Sequence, residues 1–345
     1  MIQEMDKTLF LGIDLGTSRT TIMSSRGGKG LVRSVVGYPK DILGVKLLNR
    51  TFAVGDEALA KKSYMDLHFP LEDGVLKETG EQNTQAAREL LKHAIGLVSP
   101  APGDRICGIL GVPARASVTN KGQLLKIADE VMDLSMVVSE PFMVAYGLNR
   151  LTNAIIIDIG AGTTDLCAMK GTIPLPEEQV TLLKAGSYID DILAAAITEA
   201  HPEVQMTNLL AKKLKERFSH VGPGPQEVAM VELRSGGKPR NYDIGREVRF
   251  ACETVVPDIL ESLEQLVSVF DPEDQADAVK NIILAGGGSA IRGLDQVLKD
   301  GLKSFGEVHV FKVDEPDYAG AAGALKLATE LPPDYWTQVG DVIGE

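Results

Sequence analysis

A chain of 345 residues with 44% hydrophobic content is long enough for two core-bearing lobes, and it holds no run approaching the ~20 apolar residues of a membrane span. Its 35 basic and 48 acidic residues leave a formal charge of −13, which argues against nucleic acid, because displacing phosphate counterions takes a basic face. Cys107, Cys167 and Cys252 are odd in number and far apart, and the five histidines have no ligand spacing. Buried thiols in a reducing cytoplasm are therefore expected, and a protein-held zinc site is not.

The N-terminus mixes Glu4, Asp6 and Lys7, so neither a signal peptide nor a basic membrane-surface helix is expected there. Strand-like runs at 9–15 and 19–24 form a hairpin that turns at Gly16. RGGKG at 26–30 makes a second turn and LVRSVVGYP a third strand, completing a meander. Residues 41–67 are mixed, with a helix over 56–62. Residues 83–98 have helical periodicity, with Asn83 or Thr84 as cap. ICGILGVP reads as a buried strand ending at Pro113, and KGQLLKIADEVM as a second helix.

The pattern restarts at Ala154 with strand, turn and strand, then helices over about 187–200 and 207–219. PGPQEVAMVELRSGGKPRNYDIG alternates like an exposed hairpin with SGGK at its turn. Residues 243–270 read as one long helix, capped by Asp243 and kinked or broken at Pro257. NIILAGGGSAIRGLDQVLKDGL is strand, glycine turn and helix, and AGAAGALKLATEL is a terminal helix. The whole predicts an α/β duplication around a central cleft.

The chemistry lies in one pattern written twice. FLGIDLGTSRTTI (10–22) and IIIDIGAGTTDL (155–166) align Asp14 with Asp158, Gly16 with Gly160, Ser18 with Gly162 and Thr20 with Thr164. Each is an apolar strand, an Asp, a tight glycine turn, hydroxyl residues and a second strand. Glycine admits close backbone approach to phosphate oxygens, and Thr17, Ser18, Thr163 and Thr164 add hydroxyls. Asp14 and Asp158 are suited to orient Mg²⁺ through its water shell. One such hairpin is weak evidence, but two in register point to nucleotide chemistry. Asp165 reads as a residue that binds the turn backbone. Gly286, Gly287 and Gly288 form a third turn that admits a base or phosphate, with a helix N-terminus after it, although GxGxxG spacing is missing. Glu140, before Pro141, is placed to polarise an attacking water. Lys215 and Glu216 alone read as a solvated helix face.

These residues resemble the actin superfamily of two-lobed ATPases, a duplicated ribonuclease H-like α/β fold with a central nucleotide cleft. FLGIDLGTSRT is similar to its first phosphate loop, IIIDIGAGTTDL to its second and ILAGGGSAIRGL to its adenosine loop. SVVGYPK, AVGDEALAKKS, SEPFMVAYG, LKERFSHV and YAGAAGALKLA extend the likeness nearly end to end. Within the superfamily, GVPARAS, VVSEPFMV and LPPDYW…VGDV resemble the bacterial filament proteins that organise magnetosome vesicles. The resemblance implies lobe I over 1–145, with a small outer part at about 36–68, completed by about 318–345. It implies lobe II over 146–317, with an outer part at about 184–245.

The same resemblance implies ATP and Mg²⁺ as ligands. Thr17 and Ser18 would contact phosphates, and Asp14 and Asp158 would hold the metal and its waters. Glu140 would activate the lytic water, Lys215 and Glu216 would hold ribose and adenine, and Gly287 and Gly288 would back the adenosine. It further implies a cytoplasmic, head-to-tail homopolymer with magnetosome-associated partners and no membrane insertion. One departure concerns charge: where actin has a Lys in its first loop, Arg19, Thr20 and Thr21 stand here. A small-molecule kinase of this fold would need an acceptor-binding insertion, and a chaperone ATPase would need a peptide-binding domain; neither is evident in the sequence.

Overall fold

The computed structural model describes residues 7–77, 80–222, 228–332 and 334–336. They divide into two compact units, Met1–Leu151 with Glu315–Glu345, and Thr152–Asp314.

The first unit is built on β1 (Thr8–Leu15), β2 (Arg19–Ser24) and β3 (Lys29–Arg33), an antiparallel meander. A second sheet holds β4 (Val36–Pro39), β5 (Ala53–Val54) and β6 (Met65–His68), and β7 (Leu71–Glu72) pairs with β8 (Val75–Leu76). β9 (Arg105–Val112) joins the far side of β1 in parallel, and β10 (Leu134–Ser139) joins β9 in parallel. Its helices are α1 (Ile42–Leu48), α2 (Asp56–Ala60), α3 (Glu81–Leu97), α4 (Val118–Ala128) and α5 (Glu140–Gly147).

The second unit repeats that sheet. β11 (Thr152–Ile159), β12 (Thr164–Lys170) and β13 (Gln179–Leu182) form the meander, and α6 (Gly186–Ala200) and α7 (Asn208–Phe218) follow. β14 (Met230–Ser235) and β15 (Lys238–Asp243) make a separate hairpin. After α8 (Gly245–Glu253), α9 (Val256–Ser268) and α10 (Gln275–Ala278), β16 (Ile282–Ala285) joins β11 in parallel. α11 (Leu294–Gly301) leads to β17 (Val310–Lys312), parallel to β16. The final helix, α12 (Ala319–Glu330), belongs to the first unit. The strand orders are β3-β2-β1-β9-β10 and β13-β12-β11-β16-β17, the same topology twice.

Both central strands are apolar on two faces because helices cover both. Leu9, Leu11, Ile13 and Leu15 pack in one cluster with Leu90 and Leu91 of α3. On the other face Phe10 meets a cluster of Met143, Ala324, Ala328 and Trp336. Ile155, Ile157 and Ile159 of β11 share a core with Leu193 of α6 and Leu263 of α9. No described helix is long and apolar enough to cross a membrane.

Several local expectations are corrected. LVRSVVGYP is two strands in different sheets, divided at Ser34–Val35, where Ser34 is pulled onto the first hairpin. α3 begins at Glu81 after Gly80, so Asn83 and Thr84 lie inside its first turn; the Gly80 carbonyl already accepts the Asn83 N–H. Helix α1 was not anticipated, although Asp41 caps it through Leu43 and Gly44 N–H. The expected break in 243–270 is present, but it falls just before Pro257, which lies in the first turn of the second helix. Asp243 stands one residue before the cap position, and its carboxylate accepts from Gly245 and Ala229 N–H.

Glycines decide how closely α12 can approach. A Cβ on Gly323 would lie 1.8 Å from the Met143 carbonyl oxygen of α5, and one on Gly12 would lie 2.1 Å from the Ala321 oxygen. Both obstacles are backbone and cannot rotate away. Gly323→Ala should therefore destabilise the chain by about 3 kcal/mol, the upper part of the overpacking range, read as a lower urea midpoint; an unchanged midpoint would show that the two helices part without cost.

Candidate functional site

The two hairpins close in the same way. Gly16 N–H donates to the Arg19 carbonyl at 3.1 Å, and Gly160 N–H donates to the Thr163 carbonyl at 2.9 Å. The registers correspond as well: Asp14 faces Thr21 and Leu15 faces Thr20, while Asp158 faces Asp165 and Ile159 faces Thr164. A Cβ on Gly16 would stand 2.8 Å from the Arg19 oxygen. The turn is thus tight enough to need glycine, and the backbone is left bare for an anion.

Around the first turn, Ser34 does most of the bracing, and the sequence reading passed over it. Its hydroxyl donates to the Gly16 carbonyl at 2.6 Å and lies 2.9 Å from the Thr20 hydroxyl, and its N–H bonds the Ser18 carbonyl at 3.0 Å. The only hint was a serine standing between Arg33 and two valines, where an apolar strand would be expected to continue. Thr17 Oγ1 accepts from Gly74 N–H at 2.8 Å, tying the turn to the β7–β8 hairpin and leaving the hydroxyl proton to donate elsewhere. Arg19, the departure noted above, reaches Asp317 at 2.9 Å.

Asp14, near the end of β1, lies against the start of α12, where a Cβ on Gly320 would be 2.9 Å from its Oδ2. A helix N-terminus favours an anion, yet burial outweighs it. Burial first, and the charge of Asp317 second, push the Asp14 carboxyl up to about 6. Such a carboxylate gains from a cation. Glu140 is the first residue of α5, directly after β10.

In the second unit the turn is braced by the entry to α6. Gly186 N–H bonds the Gly160 carbonyl at 3.1 Å and Ser187 N–H bonds the Ala161 carbonyl at 2.7 Å. Gly162, Thr163 and Thr164 are buried, and the Thr164 hydroxyl donates to the Lys184 carbonyl at 3.2 Å. Asp165 is not a turn residue. It lies within β12, buried, and accepts from the Thr181 hydroxyl of β13 at 2.6 Å. The reason is register: β12 begins at Thr164, so Asp165 is already paired.

The glycine turn after β16 folds onto β11. Gly286 has φ of 71°, and a Cβ there would meet Asp158 Oδ1 at 2.3 Å. One on Gly288 would meet Ile159 Cγ2 at 2.2 Å, whereas Gly287 faces open space. Gly286 and Gly288 thus pack closely against Asp158 and Ile159, with Gly287 left bare. The turn leads into a 3₁₀ segment, Gly287–Ala290, and the α-helix starts only at Leu294. On α7, Lys215 contacts Asp190 at 2.7 Å, while Glu216 is exposed.

Within the first unit, then, Asp14, Gly16, Thr17 and Ser18 stand on one hairpin. Within the second, Asp158, Gly160, Gly162 and Thr163 stand on another, with Gly286 against Asp158 and Lys215 against the Gly186 turn. Bare glycine turns beside half-buried carboxylates fit a metal-bound polyphosphate.

A family model described as MreB/Mbl protein matches residues 8–332. The actin-like protein MamK of Paramagnetospirillum magneticum (strain AMB-1) is 56% identical over 97% of this chain and 96% of its own length. Among solved structures, a MamK double helical filament superposes with a TM-score of 0.92 at 55% identity, covering 94% of this chain and 100% of that one. A non-polymerising MamK variant bound to AMPPNP has a TM-score of 0.73 at 54% identity, covering 94% and 99%.

The raised Asp14 carboxyl has a consequence for stability. Its ordinary value is 3.8 and its folded value about 6, so across that window the folded chain binds more protons than the unfolded one. Stability must fall as pH rises through it. Metal-free Asp14→Asn should show a flatter urea-midpoint profile between pH of about 4 and about 6 than the unaltered chain; identical slopes would place the charge of Asp14 in open solvent.

Proposed function

The chain belongs to the MreB/Mbl family, and from that membership we propose that it is a cytoskeletal ATPase that polymerises with ATP into filaments organising and positioning magnetosome chains. The observation that carries the nucleotide part is the pair of hairpins closed by the same glycine bond, Gly16 to Arg19 and Gly160 to Thr163. The MamK filament at 55% identity supports the polymer part, and the AMPPNP-bound MamK variant supports the choice of an adenine nucleotide.

On this reading Gly16, Thr17 and Ser18 of one turn, and Gly160, Gly162 and Thr163 of the other, grip the phosphates through N–H groups and hydroxyls. Thr17 is suited to this because its oxygen already accepts from Gly74, so its proton is free to donate outward. Thr164 contributes by holding the turn, since its hydroxyl serves Lys184. Asp14 and Asp158 would hold Mg²⁺ through its waters, and the ion, when bound, supplies neutralising charge to the phosphate oxygens. Glu140, fixed where β10 becomes α5, orients the attacking water. Lys215, Glu216, Gly287 and Gly288 border the nucleoside. A head-to-tail contact that does not close into a ring generates a fibre, and hydrolysis weakens the lattice. Partners on the magnetosome and a site of action along the magnetosome chain follow from the same kinship.

Mg-ATP should therefore convert the purified chain into pelletable polymer visible by electron microscopy. A chain that stays monomeric at high concentration across salt and nucleotide conditions would sink the cytoskeletal reading. Glu140→Ala should lower ATP hydrolysis by about 10²–10⁴ with nucleotide affinity retained, and its filaments should persist longer. Equal losses of binding and hydrolysis would make Glu140 a structural residue instead.

A further inference from the structure

A buried ion pair stands behind the second hairpin. Lys215 Nζ lies 2.7 Å from Asp190 Oδ1, with the side chains only 13% and 9% exposed. The same ammonium donates to the Gly186 carbonyl. Both acceptors belong to α6: Gly186 is its first residue, and Asp190 is one turn further on. That first turn carries the two backbone bonds to the phosphate turn, Gly186 N–H to Gly160 and Ser187 N–H to Ala161. There is no slack in the stack. A Cβ on Gly186 would lie 3.0 Å from the Gly160 oxygen and 3.2 Å from Lys215 Nζ.

Such a pair is poorly explained by stability. Taking two charges out of water costs about as much as their attraction returns, and burial raises the Asp190 carboxyl even with Lys215 beside it. What the pair supplies is geometry. It joins α7 to the α6 entry at two points, a carboxylate and a carbonyl one helical turn apart.

We propose that Asp190 and Lys215 are positioning residues for the second phosphate turn: their ion pair fixes the first turn of α6, which in turn holds Gly160 and Ala161. The inference rests on the ATPase reading and reassigns the Lys215 ammonium. Its charge is paired with Asp190 and one of its donors is taken by the Gly186 carbonyl, so it acts through the turn and not chiefly through the nucleoside. Asp190 had no assigned role in the sequence reading.

The test uses the full chain with Lys215→Met, Lys215→Arg, Asp190→Asn and the double variant Asp190→Asn/Lys215→Met. Hydrogen exchange is read without nucleotide, on peptides covering 158–165 and 184–190, beside steady-state ATP hydrolysis. Lys215→Met and Asp190→Asn should each speed exchange in both peptides by about fivefold or more, with exchange in β16 unchanged. The kcat should fall by about tenfold to hundredfold, the cost of a small misplacement at a reacting centre, with KM for ATP nearly constant. The double variant should be no worse than the worse single, and Lys215→Arg, which can keep the pair, should recover most of the loss. A raised KM with unchanged kcat and unchanged exchange in Lys215→Met would overturn the proposal in favour of direct nucleotide contact, as would a silent Asp190→Asn. If the unaltered chain hydrolyses no ATP, the ATPase reading fails, while the exchange measurements still decide whether the pair holds the turn.

Discussion

The hydrogen bond from a glycine N–H back to the carbonyl three residues on is the constraint on which each half of the structure depends. It turns β1 into β2 and β11 into β12 within the smallest space that leaves the backbone uncovered. Everything nearby then serves to keep that turn from relaxing. The first is braced by Ser34 and by the β7–β8 hairpin through Thr17. The second is braced by the α6 entry and, through Thr164, by Lys184. The turn was duplicated faithfully; its supports were not. A turn needs only a local pattern, whereas each support comes from a different part of the chain.

Charge is arranged with equal economy. A chain of net charge −13 would repel a polyphosphate unless the approach were locally compensated. The basic side chains found at the turns do not stand free to do this. Arg19 is bonded to Asp317, and Lys215 to Asp190. At the turns themselves this leaves the uncovered backbone N–H groups to meet an anion. The Asp14 carboxyl, held up to about 6 by burial and by Asp317, is a group whose unfavourable charge a cation would relieve. The segment just before α12 is fastened to the first meander in the same spirit, by Arg19 to Asp317 and by Lys29 to Glu315 at 3.2 Å.

Packing carries these turns at fixed positions. β1 is covered on one face by α3 and on the other by α12, and α12 can come so near only because Gly12, Gly147 and Gly323 offer no side chains. In the second unit Gly286 plays the corresponding part at short range, letting the loop after β16 lie on Asp158. A Cβ at either place would move a strand carrying a carboxylate, so glycine identity and site geometry are coupled through main chain.

What the sequence by itself determined was the local chemistry: the repeated Asp–Gly–hydroxyl pattern, the hairpins around it and the glycine turn at 286–288. These are short-range signals, set by residue type and by spacing of two or a few positions. The tertiary structure alone decided the partners. Ser34 breaks an apparent strand because the hairpin it braces lies 18 residues earlier. Asp165 is a strand residue because Thr181 on a neighbouring strand takes its carboxylate. Lys215 and Asp190, two charges on helices that look merely solvated, are buried against each other. Nothing in the 3.6-residue or two-residue periods encodes which distant group will satisfy a polar atom. That is settled only when the sheets close and leave each buried donor and acceptor one place to go.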